Sequence, residues 1–409
     1  MSLSAPHQRR SRRLKDFKLT ALLDITKAIN NNFSTAELLT IYESIVRDKL
    51  QIRRLVLYSH DSDGWKRLLF FGKEDAFSGV DVTTHLLPLR EITTLDITGN
   101  SGNNLQEIVI PVFHKSSPLA YVLIGDLDEA ERGMSSAVKH LPFIQTLTNI
   151  MMVAIENKRL AKENLKRAAM HRELELAWEV QRMLFPEHLP NNKYIEMDAL
   201  YLPHQQVGGD YYDFIQINEN ELAFCVADVS GKGVPAALLM SNFQAYLRIL
   251  LQHIPSLSDL VIELNTKVND NAKGEKFITL FIAKYNTVTR TLQYINAGHN
   301  PPLLIDADGY NLLTVGCTGL GMLDELIRVK EGIVSVNPDT LLLCYTDGLV
   351  EQRNADQQEL GLEPVKELLQ KNRKASPNKI NALLLELLNK HRDEQSYVDD
   401  IALVTCKMI

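Results

Sequence analysis

Ala227-Asp-Val-Ser-Gly-Lys-Gly-Val-Pro-Ala-Ala-Leu-Leu-Met240 is the stretch on which the fold turns. The residues that lead into it include the apolar run 222–226 with Cys225, and 221–227 reads as a buried strand. Asp228 ends that strand, and Gly231 and Gly233 supply a turn. Pro235 suits the first turn of a helix that the pattern carries to about His253. A strand that delivers a carboxylate to a Gly-rich turn is a rigid element presenting a ligand at its rim. The same placement recurs elsewhere. Asp210 follows Gly208-Gly209. Asp347 ends the apolar strand 341–346 and precedes Gly348. Asp399-Asp400 stands at the lip of a last strand, 401–406.

Four carboxylates brought together without cations would repel and raise one another's pKa. Divalent ions resolve that conflict. A set of oxygens with no Cys or His suits magnesium or manganese rather than zinc. Two such ions about 4 Å apart lower the pKa of a bound water and clamp a phosphoryl group. An Asp beside Gly at a strand end is also an ordinary turn residue, so spacing alone leaves both readings open. Three other features carry no site. Gly231-Lys-Gly233 is not a phosphate-binding P-loop, because Gly follows Lys232 where Ser or Thr is needed and position 226 is Val. His299 reads as a turn residue rather than a ligand. Tyr211 and Tyr212 read as packing groups rather than a platform for bases.

The chain has 409 residues, of which 45% are hydrophobic. That excludes a disordered chain, a collagen and a small disulfide scaffold, and predicts two or three domains. Residues 191–409 hold 19 basic and 28 acidic side chains, a net charge of −9. Residues 1–190 hold 25 and 23, a net +2. An acidic second half argues against nucleic acid as its partner. Cys225, Cys317, Cys344 and Cys406 form no CxxC pair, which reads as buried thiols in a reducing, cytoplasmic setting. No run of about 18 apolar residues occurs, so no membrane span is expected. Arg9, Arg10, Arg12 and Arg13 lack a following apolar stretch, so a secretory signal is not expected.

The pattern predicts an α+β chain in four parts. Residues 1–13 read as a basic disordered tail. Residues 14–157 read as a mixed α/β domain, with helices at 19–30 and 38–50, strands at 54–58, 67–71, 107–113 and 120–126, and a closing helix at 136–157. Residues 158–190 belong to a connector whose helix, 156–185, has no Gly or Pro before Pro186. Its apolar side, with Leu174, Ala177 and Leu184, either pairs in a dimer or packs on its own domain. Residues 191–409 alternate strands and helices. Helices are expected at 258–269, 362–371 and 378–392, strands at 277–285 and 291–296, and a hairpin around Asp306-Ala-Asp-Gly309.

Five stretches occur in order: Val207-Gly-Gly-Asp-Tyr-Tyr-Asp-Phe214, the Ala227–Met240 segment, Asn296-Ala-Gly-His-Asn-Pro-Pro302, Tyr345-Thr-Asp-Gly348 with Glu351, and Asp399-Asp-Ile-Ala402. Together with the helix Glu173-Leu-Glu-Leu-Ala-Trp-Glu-Val-Gln-Arg-Met-Leu-Phe-Pro186 upstream, they resemble the SpoIIE-type serine phosphatases, a bacterial branch of the PPM (protein phosphatase 2C-like) family. The resemblance covers roughly residues 170–409. It implies an αββα sandwich with two manganese or magnesium ions at one end. It implies Asp228 as the bridging ligand, Asp210, Asp347 and one of Asp399 or Asp400 (leaning to Asp399) as the other carboxylates, and the Val229 carbonyl as a further ligand. It implies in-line attack by an activated water with no covalent phosphoenzyme, so Ser230 serves the turn rather than acting as nucleophile. Ala402 replaces the Thr more common in the family. The phosphate-binding Arg of the eukaryotic relatives has no counterpart that can be placed.

Residues 14–157 resemble a GAF domain, in element order and in the helix that leaves the domain. The absence of Cys in residues 1–224 excludes a covalently attached bilin. Either a small-molecule ligand or a dimerisation and partner-binding role fits such a domain. The resemblance thus implies a cytoplasmic, metal-dependent phosphoserine/phosphothreonine phosphatase. Its substrate would be a STAS-type anti-sigma-factor antagonist, and its N-terminal domain would regulate it within a homodimer. The alternative is a catalytically silent dimeric scaffold that binds partner proteins.

Overall fold

The computed structural model describes residues 5–61, 64–72, 80–98, 104–125 and 136–409. The chain divides into two compact units, Met1–Ala168 and Ala169–Ile409. In the first, helices α1 (Ala5–Asn30) and α2 (Thr35–Glu43) precede strands β1 (Leu55–Asp61), β2 (Gly64–Phe71), β3 (Thr93–Thr98), β4 (Asn104–His114) and β5 (Ser117–Ile124). The strands form one antiparallel sheet in the order β2-β1-β5-β4-β3. Because side chains alternate along a strand, Leu55, Leu57, Ile110, Val122 and Ile124 fall on one face. There they pack with Ile25 of α1 and Leu38 and Tyr42 of α2. Val56, Val109, Tyr121 and Leu123 fall on the other. The start of α2 is a capping box in which Ser34 accepts the Glu37 amide and the Glu37 carboxylate accepts the Ser34 amide.

Two helical expectations are corrected. α1 begins at Ala5, inside the segment read as a disordered tail. Pro6 stands in its first turn, where a missing N–H costs nothing, and Arg and Lys are good helix formers. The helices expected at 136–157 and 156–185 are a single helix, α3 (Ser136–Arg182). After Pro142 it contains no Gly or Pro to stop it, and the division between the units falls within it.

The second unit holds two sheets. β6 (Ile195–Leu202), β7 (Tyr211–Asn218), β8 (Glu221–Val229), α4 (Val234–His253), α5 (Leu257–Ala272), β9 (Ile278–Asn286) and β10 (Thr291–Ala297) come first. Then follow β11 (Leu303–Ile305), β12 (Tyr310–Leu312), β13 (Gly316–Cys317), β14 (Gly332–Ser335) and β15 (Thr340–Tyr345). α6 (Asp347–Val350), α7 (Glu363–Lys371), α8 (Pro377–Arg392) and β16 (Ile401–Met408) complete the chain. One sheet has the order β13-β10-β9-β8-β7 with β14 on β10, the other β12-β11-β15-β16-β6.

Alternation along the strands builds the layers. In β8, Ala223, Cys225, Ala227 and Val229 pack with Ala236, Met240, Phe243 and Leu247 of α4 and with Leu260 and Leu264 of α5. The intervening Leu222, Phe224 and Val226 meet Leu342 and Cys344 of β15 and Val404 and Cys406 of β16 between the sheets. On the far side of the second sheet, Leu341, Leu343, Ile401 and Leu403 pack with Val365 and Leu369 of α7 and Ile380, Leu384 and Leu388 of α8. The result is an αββα sandwich. Strands buried on both faces explain why β8, β9 and β15 read as continuous apolar runs rather than alternating ones. By length and composition one helix among the described residues, α4, is apolar enough to cross a membrane. Here one side of it fills the core of the second unit.

Candidate active site

The strand pairing gathers the carboxylates. β7 and β8 run antiparallel with Tyr211 opposite Ala227, so Asp210 and Asp228 leave neighbouring strands at the same end. β15 and β16 pair with Tyr345 opposite Leu403, so Asp347 and the Asp399-Asp400 pair leave the second sheet together. Thr346 ties these ends. Its N–H donates to the Ala402 carbonyl at 3.1 Å, and its Oγ1 accepts the Ala402 N–H at 2.8 Å. Asp347 opens α6, where a carboxylate faces the positive end of the turn.

Close backbone approach requires glycine at two places. A Cβ on Gly208 would lie 2.1 Å from Tyr201 Oη and 2.2 Å from Asp400 Oδ2. A Cβ on Gly348 would lie 2.1 Å from the Asp400 carbonyl oxygen. Asp400 therefore sits wedged between the two loops. Its Oδ1 accepts the His204 N–H at 2.7 Å and its Oδ2 the Gly209 N–H at 2.8 Å. From the other side, Gln181 holds Gly208 in both directions. Its Nε2 donates to the Gly208 carbonyl at 2.7 Å and its Oε1 accepts the Gly208 N–H at 3.3 Å. The Gly208-Gly209-Asp210 segment is thus fixed by a buried amide and a buried carboxylate.

The electrostatics are those of crowded negative charge in a dry place. Burial, then Asp228, pushes Asp210 well above the usual carboxylate range, and its Oδ2 is buried with no hydrogen-bond partner. Burial, then Asp347 and Asp399, raises Asp228 to about 7. Burial, then Glu351 and Asp399, raises Asp347. Asp400 is also raised by burial, although the His204 and Gly209 amides act against it. Burial, then Asp400, Asp210, Asp228 and Asp399, pushes the Tyr201 phenol up.

The sequence-predicted residues are thus brought together. The Val229 carbonyl faces them across Gly209, whose Cβ would lie 2.8 Å from that oxygen. The set is not a finished cage. Among the described residues no three His, Cys, Asp or Glu side chains form a ready coordination group. Asp400 is spent on backbone amides, and Asp399 pairs with Lys232 at 2.8 Å. The donor chemistry nonetheless fits a hard divalent cation. The oxygens are carboxylate and carbonyl, one of them is orphaned, and the surrounding charge is unbalanced.

Ser230 serves the turn. Its Oγ accepts the Phe277 N–H at 2.9 Å, and its own N–H donates to the Phe277 carbonyl. His299 is buried in a turn closed by Asn296 Oδ1 on its N–H, its Nδ1 is 2.9 Å from Thr279 Oγ1, and burial lowers it to about 4. Tyr211 and Tyr212 pack on Phe185. Asp213 is fully buried and held by Arg248, which donates from Nε at 2.7 Å and from the guanidinium at 2.9 Å. Sequence reasoning missed the parts played by Gln181, Thr346 and Lys232, whose partners lie far along the chain. The only local signal was their proximity to the quoted motifs.

The αββα sandwich of the second unit is similar in fold to a known PP2C phosphatase domain. Residues 218–409 match the family model for stage II sporulation protein E (SpoIIE). The chain is 29% identical over 182 residues to the phosphoserine phosphatase RsbU of Bacillus subtilis (strain 168), an alignment covering 44% of this chain and 54% of that protein. It is 26% identical over 276 residues to protein IcfG of Synechocystis sp., covering 60% of this chain and 43% of that protein. The chain thus spans about half the length of these curated relatives. Among solved structures, the SiaA-PP2C domain of Pseudomonas aeruginosa superposes with a TM-score of 0.54 at 17% identity, covering 60% of this chain and 99% of that one. Match, relatives and fold together support a SpoIIE-type, PP2C-like protein phosphatase domain in the second unit.

Proposed function

We propose that the second unit hydrolyses phosphoserine or phosphothreonine on a regulatory protein, using two manganese or magnesium ions. The observation that carries the reading is the convergence of Asp210, Asp228 and Asp347 at one end of the sandwich, with Asp228 raised to about 7 and Asp210 Oδ2 orphaned. Asp228 feels Asp347, Asp399, Asp210 and Asp400 and would bridge the ions. Asp210 and Asp347 would hold one side each, with the Val229 carbonyl beside them. Asp399 fits the fourth place better than Asp400: its side chain is partly exposed, its Oδ1 accepts the neighbouring Asp400 N–H and its Oδ2 faces the Lys232 ammonium, whereas Asp400 is buried with both oxygens on the His204 and Gly209 amides. Asp400 is then the residue that positions Asp210. When bound, such ions supply a nucleophilic water at neutral pH and charge stabilisation for an in-line displacement. Ser230, turned to the Phe277 amide, takes no covalent part.

The first unit is proposed as a GAF-like regulatory domain, supported by its antiparallel sheet with helices on one face. A STAS-type anti-sigma-factor antagonist is the proposed substrate, a homodimer the proposed assembly and the cytoplasm the proposed location. The test is hydrolysis of an aryl phosphate and of a phosphoserine-bearing STAS protein with manganese. Activity on both that vanishes in chelator and in Asp228→Asn supports the reading. Full activity in chelator refutes it.

A further inference from the structure

The carboxylates face a second cluster of opposite sign. Lys232 lies in the turn between β8 and α4, with its side chain 43% exposed. Its Nζ is 2.8 Å from Asp399 Oδ2 and donates to the Val398 carbonyl at 2.7 Å. Its charge also reaches Asp347, whose pKa it pulls down against the larger effects that raise it. Lys276 lies against the same turn. Gly231 has φ +91°, and a Cβ there would lie 2.0 Å from Lys276 Nζ, so the ammonium rests directly on the glycine backbone. Among the described residues no carboxylate lies within ion-pair distance of Lys276 Nζ. Two-way bonding between Ser230 and Phe277 locks the turn to the segment that carries Lys276. The helix that follows, α4, is 20 residues long and starts at Gly233 with no side-chain cap. Its first N–H groups and the positive end of its dipole therefore point into the same turn.

We propose that Lys232 and Lys276, with the uncapped start of α4, form the anion-binding half of the site and receive the phosphoryl oxygens of the substrate phosphomonoester. The assignment rests on the phosphatase reading and answers what that reading leaves open, the protein group that holds the phosphate beside the cations. A phosphomonoester dianion approaching a cluster of carboxylates needs positive charge that belongs to the protein. Lys232 provides it beside the carboxylates, and Gly231 leaves the room for Lys276 to do so. The Lys232 ammonium is the counter-ion of Asp399. A cation taken up by Asp399 competes with that pair, and the ammonium, still bonded to the Val398 carbonyl, stays on its turn to meet incoming phosphate.

The test uses the full chain loaded with manganese, comparing wild type with Lys232→Met, Lys276→Met and Lys232→Arg. Inorganic phosphate binding is read by calorimetry, manganese binding separately, and aryl phosphate kinetics alongside. Each Met variant is expected to weaken phosphate binding and raise KM roughly ten- to a hundredfold, the range for losing one charge-assisted hydrogen bond. Lys232→Met should bind manganese as tightly as wild type or more tightly, because Asp399 loses its competitor. Lys232→Arg should recover most of the phosphate affinity. Unchanged phosphate binding in both Met variants of an active enzyme overturns the anion site alone. Parallel loss of manganese and phosphate in Lys232→Met also overturns it, by making the lysine a structural prop. A wild type that binds phosphate through Lys232 yet hydrolyses nothing refutes the phosphatase reading and leaves the anion site standing. A wild type that does neither refutes both.

Discussion

Removing one charge from the carboxylate cluster is expected to stabilise the protein while destroying its activity. The residue is Asp228, and the substitution Asp228→Asn keeps its shape. In the fold its pKa is about 7, against 3.8 for an unperturbed side chain. That difference corresponds to about 4 kcal/mol, at about 1.4 kcal/mol per pKa unit. The sign follows from linkage. Below pH 4 the residue is protonated in both folded and unfolded chains and carries no penalty. As pH rises towards 7 the unfolded chain ionises it freely and the folded chain resists, so stability falls. Above pH 7 the full penalty is present. Urea unfolding in chelator should therefore show the second unit less stable at pH 8 than at pH 5. Asp228→Asn should recover up to about 4 kcal/mol at pH 8 and almost nothing at pH 4. Manganese should stabilise wild type more at pH 8 than at pH 5, since ionised carboxylates bind it better. A metal-free stability that does not fall between pH 5 and 8, or an Asp228→Asn protein less stable than wild type at pH 8, would refute the electrostatic account of the site.

Other predictions concern the supports around the cluster. Gly208→Ala forces a Cβ against Tyr201 Oη and Asp400 Oδ2. It should cost about 2–4 kcal/mol in urea unfolding and lower kcat by displacing Asp210, whereas a neutral result would show that the loop relaxes freely. Arg248→Met leaves the buried Asp213 carboxylate without its cation, with only the Tyr211 hydroxyl and Phe214 N–H still donating to it, and should cost about 3 kcal/mol. Combining it with Asp213→Leu should cost clearly less than the two changes summed. Tyr201→Phe removes a buried hydroxyl with no hydrogen-bond partner and should raise metal-free stability by about 1 kcal/mol.

Much of the architecture could be read from local pattern because the second unit buries its central strands on both faces. Apolar runs at β8, β9 and β15, the proline in the first turn of α4 and the Asp306–Gly309 turn between β11 and β12 all gave strong signals. β6 escaped because Glu196 and Asp198 interrupt it, although Ile195 and Met197 alternate inward. β14 has four residues and only one buried position, which no periodicity can reveal. The continuity of α3 escaped for a different reason. Composition changes along it from apolar to charged, and that change suggested two helices where no breaker exists. At the site, the aspartates stood next to glycines and could be picked out. The proposed preference for Asp399 over Asp400 rests on contacts with distant residues, the His204 and Gly209 amides on Asp400 and Lys232 on Asp399. Lys232 looked like part of a glycine turn until the fold brought Asp399 to it.

These carboxylates are proposed to form one two-cation centre bridged by Asp228. Manganese stoichiometry by equilibrium dialysis on the full chain at pH 8 tests it most directly. Two ions per wild-type chain are predicted, with both weakened together in Asp228→Asn. A wild type that binds none, or an Asp228→Asn protein that retains both at wild-type affinity, would contradict it.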